Sequence, residues 1–236
     1  MFWSITDEEL LTAQAGNDES LRRLFGQAVP PCVLIANSLA GRKDVADRVS
    51  TELVRRAADQ IDRWRDADEA SRWFMHQTIQ LVRQFRKPLV PEQDVLLIGI
   101  GGPDVAEYRA MILALRKLPE QQQEAFILTH AQRWNTRLCA VAMDCSTTAV
   151  ETHLAEATRQ VQPLAGKHFQ SLTGFLHQVH KSLPVAMPAR PAMIATRMKA
   201  RRSMRAIVRA FGWLMILSLI GAIVGFALLV WPHIEF

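Results

Sequence analysis

The fold is decided by two stretches, LPEQQQEAFILTH at residues 118–130 and MDCSTTAVETHL at residues 143–154. In the first stretch, Pro119 is placed to start a helix, because the N–H that proline lacks has no partner at a helix start anyway. In the second, Ser146 is a natural N-cap, since its hydroxyl can accept a hydrogen bond from the next helical turn. A short helix, a tight turn around Asp144–Cys145 and a capped second helix have the layout of a helix-turn-helix.

The sequence upstream of these stretches also predicts helices. The residues TDEE at Thr6–Glu9 predict a capping box, and the apolar residues of DVADRVSTELVRRAADQIDRW, residues 44–64, recur at helical spacing. A helix that begins at Asp18 is predicted to stop at Pro30-Pro31. Asp68 is predicted to cap a further helix. The fold class predicted for this part of the chain is therefore all-α.

Residues 88–105, PLVPEQDVLLIGIGGPDV, interrupt the helical pattern with prolines and glycines and indicate a linker between two domains. They contain neither GxGxxG nor a P-loop motif, so they do not predict a nucleotide site. The predicted organisation is a helical domain at 1–88, a linker at 89–105, a helix-turn-helix domain at 106–164, a proline-containing and basic segment at 165–209, a transmembrane helix at 210–231 and a tail at 232–236.

The C-terminal part predicts a membrane anchor. Seven basic residues and no acidic residue lie between Arg190 and Arg209, and residues 211–230 then contain no charge, proline, Asn or Gln. As a helix, this apolar run spans roughly 30 Å, the thickness of the hydrocarbon core. The positive-inside rule predicts an inner-membrane protein with residues 1–209 in the cytoplasm and an extracytoplasmic C-terminus. The basic residues expected to lie beside the membrane are Arg197, Lys199, Arg201, Arg202, Arg205 and Arg209.

A GxxxG pair lies within the apolar run, at Gly221 and Gly225. This spacing places two glycines on one helix face and allows another helix to approach closely. A homodimer formed through this helix is therefore one hypothesis, and the other is that the glycines reflect only the usual composition of membrane helices.

Residues 7–164 resemble the extracytoplasmic-function sigma factors of bacterial RNA polymerase. The resemblance is carried by ELLTAQAGNDESLRRLF, by DVADRVSTELVRRAADQIDRW, and by ALRKLPEQQQEAFILTH followed by MDCSTTAVETHL. It implies that region two, in the first domain, binds the polymerase core and opens the promoter −10 element, and that region four, in the second, places its last helix in the major groove of the −35 element. The implied polymerase-binding residues are Asp44, Asp47, Val49, Leu53 and Arg55. The implied DNA-binding residues are Ser146, Thr147, Thr148, Glu151, Thr152 and His153.

The charge of the second domain departs from the family pattern. Residues 106–164 contain six basic and six acidic residues, and Glu151 and Glu156 stand where the family carries basic residues. Because contacts to phosphates dominate DNA affinity, each acid on the docking face weakens binding. The alternative hypothesis is therefore an adaptor, tethered to the membrane, that keeps the fold but binds proteins and not DNA.

Other kinds of site are not predicted. His177 and His180 have an i, i+3 spacing on one predicted helix, but no Cys or carboxylate lies near them in sequence, so a solvated helix face is favoured over a metal site. The chain contains no GxSxG, HExxH or paired-carboxylate motif. We therefore expect neither an enzyme nor a cofactor.

Overall fold

A computed structural model of the protein describes residues 6–98, 100, 105–185 and 191–230, the last stretch with only part of its side chains. Every regular element in these residues is helical, as predicted. The α-helices are α1 (Asp7–Gln14), α2 (Asp18–Ala40), α3 (Lys43–Gln60), α4 (Ala67–Phe85), α5 (Val105–Lys117), α6 (Glu120–His130), α7 (Thr136–Met143), α8 (Thr147–Ala165), α9 (Phe169–Ser182) and α10 (Pro191–Val230). Short 3-10 helices lie at Ile61–Arg63, Pro91–Gln93 and Gly166–His168.

Side-chain caps begin several of these helices. The predicted capping box of α1 is confirmed: Thr6 accepts a hydrogen bond from the Glu9 amide at 3.2 Å, and Glu9 accepts one from the Thr6 amide at 3.0 Å. The predicted cap of α4 is wrong by two residues. Asp66, not Asp68, accepts the hydrogen bond from the Glu69 amide, at 2.6 Å.

Helix α2 continues through Pro30 and Pro31, so the predicted stop at these residues is wrong. A proline inside a helix costs about 3 kcal/mol, since it removes a backbone hydrogen bond and crowds the preceding turn. However, α2 is the central helix of its group and contacts α1, α3 and α4. Its apolar side chains are buried on both sides of the prolines, as at Leu24 and Val33. This burial offsets the local cost of the prolines.

The helices form two groups. In the first group, α1–α4, the other helices surround α2. Aromatic rings lie between α2 and α4, and the ring centres of Phe25 and Phe74 are 6.2 Å apart. In the second group, α5–α8, helix α8 contacts α5, α6 and α7. The groups also touch each other, through α4 and α7 and through α2 and α6. Buried apolar residues of both groups thus form one core.

The segment between the two groups is partly packed against them. Leu96 is fully buried, and the amide of Val95 donates to the carbonyl of Gly41 at 2.9 Å. Gly41 ends α2 with φ of +67°, and a Cβ there would lie 2.6 Å from the Leu89 side chain. Glycine therefore allows the segment to lie against the end of α2. The predicted linker at 89–105 includes this segment, and its residues 99 and 101–104 lie outside the described residues.

Helix α10 does not support the predicted membrane anchor. Within the described part of the chain, no helix is both long enough and apolar enough to cross a bilayer. The prediction of an inner-membrane location is therefore wrong, and a transmembrane helix at 210–231 is not supported.

Of the other predictions that depend on this anchor, one is not supported and the rest lie outside the described residues. A homodimer through the helix is not supported, and Gly221 has open space around it. Gly225 has no described surroundings, and residues 231–236, which include the predicted tail at 232–236, lie outside the described residues. The backbone of the predicted basic residues belongs to α10, and their side chains lie outside the described residues: Arg197, Lys199, Arg201, Arg202, Arg205 and Arg209.

Candidate nucleic-acid interface

The turn of the helix-turn-helix is built by local hydrogen bonds. Asn135 caps the start of α7, because its side chain accepts a hydrogen bond from the Leu138 amide at 2.9 Å. It ends at Asp144, which adopts the left-handed conformation with φ of +57°. Ser146 then caps α8, because its hydroxyl accepts a hydrogen bond from the Ala149 amide at 3.1 Å. The predicted cap is therefore confirmed.

The first turns of α8 present a polar face to solvent. The exposed residues on it are those predicted to face DNA, namely Ser146, Thr147, Thr148, Glu151 and Thr152, whereas His153 is half-buried. The opposite face of the helix is held in the core by Val150 and Ala157, both fully buried. A recognition helix requires this arrangement, with the side chains of its N-terminal turns free to reach base edges.

The charges around this face are mixed. Glu156 is half-buried and pairs with the exposed Arg159 at 2.6 Å, so that their charges are locally balanced. Glu151 is exposed on the polar face itself. Arg137 on α7 is also exposed and offers one positive charge from the neighbouring helix. Phosphate attraction at this face is therefore weak by the standard of DNA-binding domains.

Helix α3 divides the predicted polymerase-binding residues between surface and core. Asp44, Asp47 and Arg55 are exposed, whereas Val49 and Leu53 are fully buried. The same helical spacing that placed Val49 and Leu53 on one face of α3 turns that face towards α2 and α4. Their side chains are therefore core residues in this structure and do not belong to an exposed binding surface.

Two exposed residues of α3, Asp44 and Arg55, are engaged in ion pairs. Asp44 accepts hydrogen bonds from Arg42 and from Lys87, each at 2.9 Å. These two bonds hold the pKa of the Asp44 carboxyl well below its usual range. Arg55 pairs with Glu52, and this bond, together with a second from Arg56, lowers the pKa of Glu52 to about 2. Exposed pairs of this kind contribute little to stability, so they can be exchanged for pairs with a partner.

Sequence reasoning missed the residues that join the two helix groups. Arg83 on α4 donates two hydrogen bonds to Glu124 on α6, at 2.8 and 2.6 Å, and the Glu124 side chain is only 3% exposed. Arg116 on α5 donates to the carbonyl of Leu39 on α2 at 2.9 Å and to the buried Asp94 of the connecting segment at 2.8 and 3.1 Å. The sequence contains one signal of the buried ion pair, because Glu124 stands directly beside the apolar residues AFIL at 125–128. A charge at such a position needs a partner.

The chain is similar to known proteins. Residues 108–161 match the family model described as Sigma-70, region 4. A curated relative, the ECF RNA polymerase sigma factor EcfG of Rhodopseudomonas palustris (strain TIE-1), is 27% identical over 154 residues, which cover 62% of this chain and 85% of that protein. A similar solved structure is the co-crystal structure of the sigma factor RpoE in complex with the anti-sigma factor NepR from Bartonella quintana. The match has a TM-score of 0.44 and 19% sequence identity, and it covers 58% of this chain and 91% of that chain. The sequence matches support a sigma-factor-like transcription regulator.

Proposed function

We propose that this protein regulates transcription initiation by binding the RNA polymerase core and promoter DNA in the manner of an extracytoplasmic-function sigma factor. One observation carries the proposal. The residues that match region 4, 108–161, include a capped turn and the exposed first turns of α8. The relative named as a sigma factor also covers more of the chain than this region alone.

In this proposal, the two helix groups have different tasks. The domain at 106–164 places the first turns of α8 in the major groove, where Thr147, Thr148 and Thr152 offer hydroxyl groups to base edges. The domain at 1–88 binds the polymerase core through the exposed residues of α3, Asp47 and Arg55 among them. The segment 89–105 connects the two domains.

The charges favour weak DNA binding by α8 that is supported by binding to polymerase. With Glu151 on the docking face, α8 alone binds DNA weakly. Binding to polymerase raises the effective concentration of α8 at the promoter, so that a weak contact can still choose a sequence. Glu151 is also the observation that favours the alternative, an adaptor that uses these helices to bind proteins and not DNA.

The test is co-purification of the full chain with purified RNA polymerase core. We expect a complex that is weakened about tenfold or more by Asp47→Arg, because the substitution reverses a charge on the exposed face of α3. The control is Glu107→Arg, which makes the same kind of change at an exposed position of α5 and should leave binding unchanged.

Promoter contact is tested on the same complex. Protection of −35 DNA by the polymerase complex, and its loss on Thr148→Asp, would support the role of α8. A chain that does not bind the purified core would refute the proposal. A chain that binds the core but never protects promoter DNA would favour the adaptor.

A further inference from the structure

Helix α9 lies beyond the residues that match region 4 and contacts both helix groups. Its apolar face is buried at Leu172 and Leu176. The ring of Phe175 packs edge-on against Tyr108 of α5, with 4.9 Å between the ring centres. Phe169 packs against Phe126 of α6 at 6.2 Å. These contacts fix α9 to the second group.

One buried histidine of α9 joins the second group to the first. His180 is 3% exposed, and its Nδ1 lies 2.6 Å from the hydroxyl of Ser38 on α2. Its Nε2 lies 2.7 Å from the side-chain amide nitrogen of Gln132, which follows α6. The amide can only donate, so Nε2 accepts and Nδ1–H donates to Ser38. The ring must be neutral for this, in agreement with burial, which lowers the pKa of His180 to about 4.

The chain after α9 extends the contact with the first group. The side-chain amide of Asn37, on α2, donates to the carbonyl of Pro184 at 3.3 Å, and Leu183 is buried. On the other side, His177 bonds to the carbonyl of Ala131, which follows α6. The segment 169–184 therefore spans the boundary between the two groups with specific hydrogen bonds on both sides.

We infer that α9 is an intramolecular strap that holds the two helix groups in a closed arrangement and thereby inhibits engagement of a promoter. This inference rests on the proposed function. Elements at −35 and −10 are about 25 base pairs apart, or about 85 Å of B-DNA at 3.4 Å per pair. A compact body of about 180 residues has a radius of gyration near 16 Å and is roughly 40 Å across. The closed arrangement cannot reach both elements at once.

The interface between the two groups contains ion pairs as well as apolar contacts. Arg83 pairs with Glu124, and Arg86 pairs with Glu120 at 3.1 Å. Such groups are solvated by water when they separate, unlike an apolar core. The connecting segment 89–105 can span about 55 Å when extended. Release of α9 would therefore let the groups move apart to promoter dimensions without unfolding either one.

The test weakens the strap in the full chain with His180→Ala. The substitution removes two buried hydrogen bonds, which corresponds to about a tenfold change in the closed-to-open ratio. We expect backbone amides of α9 to lose about tenfold of their protection from hydrogen exchange, while amides in the interior of α2 and α4 keep theirs. Because only the open form can reach both promoter elements, protection of promoter DNA by the polymerase complex should rise about tenfold. The matched control is His168→Ala, at an exposed position just before α9.

The outcomes separate the strap from the proposed function. Lower protection of α9 from hydrogen exchange without an increase in promoter protection would overturn the inhibitory role. Equal loss of protection throughout the chain would show that α9 is only one part of a single cooperative unit, and would overturn the strap. If neither the original chain nor the variant binds the core, the proposed function itself fails. Should His180→Ala not fold, Gln132→Ala removes one of the two bonds at a half-buried position, and the same measurements decide.

Discussion

The second helix group has two faces that use the same residue types in opposite ways. On the face that meets the first group, Glu124 is almost fully buried and makes two hydrogen bonds to Arg83. On the solvent face, Glu151 is exposed at the start of α8, and Glu156 pairs with the exposed Arg159. The effect of a carboxylate therefore depends on the face where it lies. At the inner face it maintains the contact between groups, whereas at the outer face it changes only what can bind.

The largest expected effect concerns the inner face. Glu124→Ala should lower the free energy of unfolding by about 3 kcal/mol, because it leaves Arg83 at the interface without its partner. Glu156→Ala is the matched control and should cost about 0.5 kcal/mol or less, since its ion pair is exposed to solvent. Urea unfolding of the two variants measures both values. Equal costs would mean that the two faces do not differ in the way proposed.

A second prediction extends the comparison to apolar residues. Leu176→Ala on α9 should lower the free energy of unfolding by about 2–4 kcal/mol, because Leu176 is fully buried and its removal leaves a cavity. Leu164→Ala on α8 removes the same atoms from a side chain that is 49% exposed and should cost well under about 1 kcal/mol. The same urea titrations measure both. A small effect at Leu176 would show that α9 contributes little to the fold.

The third prediction is a pH dependence. Burial lowers the pKa of His180 and of His130 to about 4 in each case. The positive charges of neighbouring basic residues lower both pKa values further. Between pH 6.5 and 4 the unfolded state binds protons that the folded state does not, so stability should fall as the pH falls through this window. We expect a loss of about 3 kcal/mol for each histidine.

His180→Gln should remove about half of this dependence, whereas His168→Gln, at an exposed position, should leave it unchanged. Urea midpoints measured from pH 7 to pH 4 give the comparison. An unchanged slope in His180→Gln would contradict the buried, neutral state of this ring.

The smallest expected effect is on DNA binding by the outer face. Glu151→Lys should strengthen binding of duplex DNA several-fold and steepen the slope of log affinity against log salt by about 0.9, because the new ammonium group neutralises one phosphate. Glu107→Lys makes the same charge change at an exposed position of α5 and should strengthen binding less. Binding isotherms at several salt concentrations test both. Identical increases in affinity would show that only net charge matters and that α8 does not face DNA.

Some features of the fold are predicted by the sequence, and others are not. Local signals were read correctly where the answer depends on a few neighbouring residues, as with the capping box at Thr6–Glu9 and the cap at Ser146. They failed where packing overrides a local preference. Pro30 and Pro31, for example, do not stop α2.

The sequence by itself determined the helical class, the position of the helix-turn-helix and the resemblance to sigma factors, because caps, turn residues and apolar spacing act within one or two helical turns. The contacts between the two helix groups depend on the folded arrangement. The bond between His180 and Ser38 joins residues 142 positions apart, and that between Arg83 and Glu124 joins residues 41 apart. No local pattern specifies such contacts, since they form only when both groups have folded and a buried polar atom requires a partner.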